Sequence, residues 1–198
     1  MDGERLDFRN LTYSQGIQIV GPYAVHQERR RYNRDKLNLK RIVYQYYYHS
    51  DYFKNIPLSL SDRRLLMSGF SPIDIDENNH EVFRYSVHHI IPLNCGGTTE
   101  SRNLIPLPRR FHDFVHSCII DPQIYNMKVG ETTTLQGLPD FSKITLEQMQ
   151  SEEFIREYHK FIIDYYDIMP IQFKKLKKKE RKDKFNSWYR RRFREERQ

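Results

Sequence analysis

Apolar residues recur at helical spacing through much of this chain, and the periodicity predicts most of its elements. A helix in residues 35–53 has one apolar face, formed by Leu37, Leu39, Ile42, Val43, Tyr46 and Tyr47. A shorter helix is predicted to begin at Ser61 as its N-cap and to end at Gly69. Residues 1–25 have no sustained period beyond a short strand at Ile17–Val20, and we expect them to form an extended arm.

The middle of the chain changes to strand-like patterns. Residues 81–91 alternate loosely and are rich in Val, Phe, Tyr and Ile, which predicts a strand. A loop with Gly96 and Gly97 follows, and Leu104–Leu107 predicts a second short strand. Helical spacing returns in residues 109–119. The predicted local order is therefore strand, loop, strand and helix.

Helical patterns also dominate the end of the chain. Residues 121–142 contain two glycines and two prolines and are expected to form an irregular crossing or a loose hairpin. Thr145 and Gln148 match a capping box, which predicts a helix from there to about residue 168. A final helix is predicted in residues 171–194.

These elements predict a single α+β domain over residues 1–198. Helices are expected in an N-terminal region, residues 1–80, and in a C-terminal region with a basic tail, residues 145–198. Apolar residues make up 38% of the chain and aromatic residues 14%, which are too many core-forming side chains for a disordered protein.

The N-terminal sequence lacks the pattern of a signal peptide, and no stretch is apolar enough to span a membrane. We therefore expect no membrane insertion, and either a cytoplasmic protein or one delivered into a target cell without a conventional signal peptide. Cys95 and Cys118 are the only cysteines, which excludes a disulfide framework and a four-cysteine zinc site.

Positive charge is concentrated at the C-terminus. Residues 171–198 hold thirteen Lys and Arg against four Asp and Glu, a net charge of +9 in a chain whose total is +7. Such a tail suggests a polyanionic partner, and a solvated helix is the alternative. We expect its aromatic residues to pack on the body and its basic residues to face nucleic acid, among them Lys177, Lys178, Arg190 and Arg191.

Candidate chemistry is concentrated in one stretch, because five of the eight histidines lie between His80 and His116. His112 and His116 are four residues apart on a predicted helix, so both rings can reach one metal ion. His88, at the end of the preceding strand, can supply a third ligand. His89 is then a spare imidazole that can activate water, and Asn103 can anchor the loop or orient His89.

This ordered set resembles the HNH (His-Me finger) nuclease family, whose fold is a small ββα-metal core. The matching segments are HHIIPLNCGG from His88, NLIPLPRRFHDFVH from Asn103 and IDPQ from Ile120. They are most similar to colicin DNases and to Rhs-type polymorphic toxin nucleases. The resemblance covers about residues 81–124 and implies a ββα-metal core at residues 81–120 within the mostly helical domain.

The resemblance also implies a role for each residue of the set. His88, His112 and His116 are expected to bind one divalent metal ion, His89 to act as the general base, and Asn103 to position His89. The implied reaction is metal-dependent endonucleolytic hydrolysis that leaves a 5′ phosphate and a 3′ hydroxyl. DNA with little sequence preference is the favoured substrate, because no helix-turn-helix or zinc-finger motif is evident. A role as a toxin or effector would imply a cognate immunity protein.

Several alternatives stay open at this point. Three imidazoles suit zinc, nickel or manganese, and relatives also use magnesium. A structural metal would need a fourth ligand, for which Cys95 or His89 could serve, and would make the chain a non-catalytic nucleic-acid-binding module. An RNase on the same fold is a third reading. Arg109 and Arg110, at the start of the histidine-bearing helix, are candidates for binding phosphates.

Overall fold

The computed structural model describes residues 6–21, 27–54, 56, 58–75 and 82–171. Only the backbone is described at 27–29, 73–75 and 82–84. Lys177, Lys178, Arg190 and Arg191 lie outside the described residues, as does the final helix predicted beyond Ile171.

Helices and short antiparallel strands make the protein an α+β protein, as predicted. The helices are α1 (Gln27–His49), α2 (Leu60–Met67), α3 (Arg109–Phe114), α4 (Asp121–Ile124), α5 (Leu146–Gln150) and α6 (Glu152–Tyr166). The strands are β1 (Ile17–Val20), β2 (Ile73–Ile75), β3 (Val82–Arg84), β4 (Ser86–His89), β5 (Leu104–Leu107) and β6 (Thr132–Leu135). They pair in three two-stranded sheets, β1 with β6, β2 with β3 and β4 with β5.

The strand predicted over residues 81–91 is wrong in its extent, because the chain forms two strands in different sheets. The break falls at Tyr85, whose carbonyl accepts hydrogen bonds from the Tyr44 hydroxyl at 2.8 Å and from the Ser71 hydroxyl at 3.3 Å. These side chains take the place of a strand partner, so β3 and β4 diverge at Tyr85.

Two predicted helix ends are also corrected. The N-cap of α2 is Ser59 rather than Ser61, because Ser59 and Asp62 form a capping box. The helix predicted from Thr145 to about residue 168 is two helices, although its capping box is confirmed. Ser151 separates them: its backbone is extended, with ψ 119°, and its hydroxyl accepts a hydrogen bond from the Phe154 amide as the N-cap of α6.

The segment expected to be an irregular crossing or a hairpin contributes β6, which pairs with β1 of the N-terminal arm. Gln123 attaches this strand to the helix before it. Its side-chain amide donates to the carbonyls of Ile119 at 2.7 Å and Gln136 at 3.0 Å, and its oxygen accepts from the Gln136 amide at 2.8 Å. The strand predicted at Ile17–Val20 is confirmed.

Buried aromatic and aliphatic side chains of α1, β5, α3 and α6 contribute to the core, and Phe8 of the arm packs against it. Phe8 of the arm lies 5.3 to 5.7 Å, between ring centroids, from Phe154, Tyr158 and Phe161 of α6. Tyr158 is fully buried, and its hydroxyl donates to the Gly137 carbonyl at 3.2 Å. The arm is therefore docked on α6. Within the described residues, no helix is both long and apolar enough to cross a membrane.

A buried histidine of α6 predicts a pH-dependent stability. His159 is 1% exposed, and burial lowers its pKa from 6.5 to about 3. The folded protein keeps this ring neutral, whereas the unfolded chain takes up a proton below pH 6.5. The contribution of His159 to the free energy of unfolding is therefore complete above pH 6.5 and lost as the pH falls towards 3.

Urea unfolding at pH 7 and at pH 5 measures this effect. The free energy of unfolding should fall between these two pH values, and we expect His159→Leu to reduce that fall by about 2 kcal/mol. His49→Leu on α1, where the ring is exposed, is the matched control for the loss of a histidine. Equal pH dependence in wild type and His159→Leu would contradict the assignment.

Candidate metal centre

Three histidine rings converge where β4 meets the helix that follows β5. His88 comes from β4, His112 from α3, and His116 from a π-helical turn, Val115–Ile120, which continues α3 into α4. One nitrogen from each ring lies within 4.8 Å of the others. The ring centroids are 4.7 Å apart for His112 and His116, 5.4 Å apart for His88 and His112, and 5.0 Å apart for His88 and His116. The predicted meeting of the three histidines is confirmed.

The antiparallel pair β4 and β5 positions His88. In its register His88 lies opposite Ile105 and His89 opposite Leu104. All four residues of β5 are buried, so the strand is fixed in the core and holds β4 in place. Pro106, which cannot donate a backbone hydrogen bond, is accommodated opposite Val87 in this two-stranded sheet.

Asn103 closes the loop between these strands. Its side-chain oxygen accepts from the Ile91 amide at 2.8 Å, and its amide donates to the carbonyls of Ile91 at 3.0 Å and Thr98 at 2.8 Å. Of the two roles considered for Asn103, this geometry corresponds to anchoring the loop. Its influence on His89 passes through the backbone, since the Asn103 carbonyl accepts from the amide of Ile90 at 3.0 Å.

The loop also depends on glycine. A Cβ atom on Gly97 would lie 1.9 Å from the Ile91 carbonyl oxygen, and Gly96 has φ +89°, where side chains are strained. Gly96 and Gly97 are therefore loop-forming residues.

Burial sets the protonation state of His88. The residue is 0% exposed, and desolvation, followed by the charges of His116 and His112, lowers its pKa well below 6.5. Neither ring nitrogen of His88 has a hydrogen-bond partner in the part of the chain that the structure describes. A buried polar atom without a partner costs about 1 to 3 kcal/mol. A metal ion would satisfy one of these nitrogens, and a neutral imidazole is the form that binds metals.

A carboxylate orients a second ring of the cluster. The Oδ1 atom of Asp113 lies 3.2 Å from Nδ1 of His112, and its Oδ2 atom accepts from Nε of Arg109 at 3.0 Å. With the proton on Nδ1, the Nε2 lone pair of His112 is directed away from Asp113 and is free to bind a metal ion. Asp121 lies near the third ring, with Oδ1 3.8 Å from Nδ1 of His116.

Replacing Asp113 by alanine is expected to weaken metal affinity by about 10- to 100-fold, the usual effect of losing an outer carboxylate. Asp113→Asn should lose less metal affinity, because its side-chain oxygen can still accept a hydrogen bond from His112. Calorimetric titration with zinc measures both, and Asp51→Asn, an exposed residue paired with Lys54, is the control. Wild-type affinity in Asp113→Ala would show that the carboxylate does not support a metal site.

His89 is half-buried beside this cluster. Its ring packs edge-on against Tyr32 of α1, with centroids 4.8 Å apart. Burial, together with the charges of His116 and His112, lowers the pKa of His89 to about 4, so the ring is neutral at physiological pH. Its Nε2 atom has no hydrogen-bond partner among the described residues. A neutral ring with an unused nitrogen can accept a proton.

The fourth ligand that a structural metal would require is not part of the group. Among the described residues, the ligand atoms that lie within 4.8 Å of one another belong to His88, His112 and His116, without Cys95 or His89. Burial raises the pKa of Cys95 to about 11, which keeps the thiol protonated.

The two arginines proposed for phosphate binding take part in ion pairs. Arg109 pairs with Asp113, and Arg110 pairs with Glu152 of α6. Arg109 remains about half exposed, with 53% of its side chain accessible, whereas Arg110 is 27% exposed. Arg109 is therefore the more available of the two to a ligand.

Three residues of this region were not predicted from the sequence. Asp113 could have been found, because it follows His112 and lies four residues after Arg109 on the same helix. Tyr32 and Phe141, whose ring lies 5.6 Å from that of His88, are far from the histidines along the chain. No local signal connects them to the site.

Comparisons with protein-family models, with characterised proteins and with solved structures find no match to this chain.

Proposed function

We propose that this chain is a metal-dependent endonuclease with a ββα-metal core of the HNH class. The observation that carries the proposal is the convergence of three histidine nitrogens within 4.8 Å, next to a fourth histidine that stands outside the group. The strand pair β4 and β5, followed by the helix that carries His112 and His116, also supports the proposal.

Each residue of the site has a separate proposed role. His88, His112 and His116 would hold one divalent ion, which supplies positive charge for the phosphate and the departing 3′ oxygen. His89 would accept a proton from the attacking water. A phosphate bound nearby raises the basicity of His89, because a negative charge favours the protonated ring. Asn103 and Asp113 hold the loop and His112 in position.

DNA with little sequence preference is the proposed substrate, and the product ends would be 5′ phosphate and 3′ hydroxyl. Zinc, nickel and manganese are candidate ions because three imidazoles suit them, and magnesium is a candidate on the resemblance alone. A role as a toxin or effector with an immunity partner is the biological setting that we propose on the resemblance alone.

A substrate panel tests the proposal. Purified full-length protein is incubated with plasmid DNA, single-stranded DNA and RNA of matched length, each with the four ions in turn and with chelator. We expect cleavage of DNA that requires an ion, and products that T4 DNA ligase can rejoin without prior phosphorylation. Cleavage of RNA alone would make the chain an RNase, and no cleavage with any ion would refute the nuclease function.

A further inference from the structure

Helix α1 carries a concentration of positive charge that the proposed reaction does not yet use. Its 23 residues include seven Lys and Arg against two Asp and Glu, a net charge of +5. Residues 1–170 together carry −2, so the rest of that segment carries −7. The net charge of α1 is therefore opposite in sign to that of the rest of residues 1–170, and a polyanion would be attracted to the helix.

Three of these seven cations lie on one side of the helix. Arg30, Arg34 and Arg41 follow each other at spacings of four and seven residues, which places them on one face, and all three are exposed. Lys40 borders them and is half-buried. We call these four residues the basic stripe. From Arg30 to Arg41 it extends for about 17 Å, which is the axial length of roughly five base pairs of a duplex.

The residues at the C-terminal end of the basic stripe line a cleft next to the metal centre. The cleft has a volume of about 840 Å³, and its lining includes Lys40, Arg41, Arg109 and Asp113. Asp113 contacts the ring of His112, so one wall of the cleft is part of the support of the metal centre. A strand lying in this cleft would reach Asp113, the residue that contacts the ring of His112.

Two contacts fix α1 relative to the strand that carries His88. The Tyr44 hydroxyl donates to the Tyr85 carbonyl just before β4 at 2.8 Å, and Tyr32 packs on His89 at its end. Burial raises the pKa of Tyr44 to about 12, which keeps this donor protonated. The basic stripe is therefore held in a constant position with respect to the site.

The cleft also exposes apolar side chains among its cations. Leu37 is 76% exposed and Phe70 48% exposed. The guanidinium carbon of Arg41 lies 5.4 Å from the centroid of the Phe70 ring, a cation–π contact that holds this arginine at the edge of the cleft. Cations beside accessible aromatic and aliphatic groups suit a sugar-phosphate backbone, whose phosphates need positive charge and whose sugars offer apolar surface.

From this geometry we propose that the basic stripe and its cleft bind the sugar-phosphate backbone of the substrate and direct it to the metal centre. This inference rests on the proposed nuclease function. It differs from the expectation based on sequence, which assigned nucleic-acid binding to Arg109, Arg110 and the C-terminal tail.

Binding without cleavage tests the proposal. Full-length protein carrying His89→Ala is titrated, in chelator, into a fluorescent duplex, and anisotropy is measured over a range of salt concentrations. Adding Arg34→Gln and Arg41→Gln should weaken binding about tenfold and reduce the slope of log K against log salt by about 1.8, the value for two lost phosphate contacts. Circular dichroism checks that the fold is kept.

The matched control is Arg156→Gln with Lys160→Gln, which removes the same charge from α6, where both residues pair with acidic neighbours. This control should bind within twofold of the parent. Equal loss in both double variants, or no loss in either, would overturn the inference. Binding of an acidic polypeptide such as polyglutamate, without binding of the duplex, would also overturn it.

Cleavage assays separate this inference from the function on which it rests. Here the stripe variant carries Arg34→Gln and Arg41→Gln with His89 intact. If the wild type cuts DNA and the stripe variant has an unchanged KM, the inference fails while the nuclease function stands. If the stripe variant loses duplex binding but the wild type cuts no nucleic acid with any ion, the binding surface stands and the nuclease function fails. If the binding surface and the nuclease function are both correct, the stripe variant has a higher KM than wild type and a kcat close to that of wild type.

Discussion

Replacing His112 by alanine is expected to abolish tight binding of divalent metal ions while leaving the protein folded. The ring of His112 is one of three that place a nitrogen within 4.8 Å of one another, and two ligands cannot hold an ion as three can. The loss should exceed the roughly 10- to 100-fold that is typical of an outer-shell change. Calorimetric titration of the chelator-treated protein with zinc measures it directly.

Thermal unfolding gives a second readout of the same change. An ion at a hundredfold excess over its Kd adds about 2.7 kcal/mol to the free energy of unfolding of the wild type. His112→Ala should unfold at the same temperature with or without ion. His49→Ala, an exposed histidine of α1, should keep the full response. A wild-type response in His112→Ala would remove this residue from the site.

Replacing His89 by alanine is expected to lower kcat for DNA cleavage by about 10²- to 10⁴-fold, the usual contribution of a general base. Its metal affinity should equal that of wild type, because His89 does not belong to the group of converging ligand atoms. The effect thus divides the four histidines into three that bind the ion and one that moves a proton. Single-turnover cleavage at saturating metal measures the rate.

Either of two results would contradict this assignment. His89→Ala would cut as fast as wild type if another group activates the water. It would lose metal affinity if His89 were a ligand, a role that its separation from the other three rings disfavours. His49→Ala serves again as the control and should leave the rate unchanged.

The local elements of the fold were largely predictable, since periodicity and capping are short-range signals. β1, β5 and the capping box at Thr145 are confirmed. The errors arose where side chains from distant segments decide the backbone. Tyr44 bonds the Tyr85 carbonyl and divides one predicted strand into two, a contact between residues 41 positions apart that no local pattern contains.

In the candidate site, too, the features set by local sequence were predictable and those set by tertiary packing were not. The convergence of His88, His112 and His116 was predicted, because spacing on a helix and a preceding strand are both readable from the chain. The surroundings were not, because Tyr32 and Phe141 reach the histidines only through tertiary packing. The basic stripe was also missed, because α1 begins at Gln27 rather than near residue 35, so Arg30 and Arg34 were not placed on the same helix as Arg41.

Titrating activity with metal tests the central claim most directly. Chelator-treated protein is mixed with supercoiled plasmid, and the cleavage rate is followed as manganese or zinc is added in fractions of an equivalent. We predict that the rate rises from zero and reaches a plateau at one ion per chain, and that His112→Ala shows no rise over the same range. Cleavage that persists in chelator, or a wild-type protein that binds one ion but never cuts, would contradict the claim that these histidines form the metal centre of a nuclease.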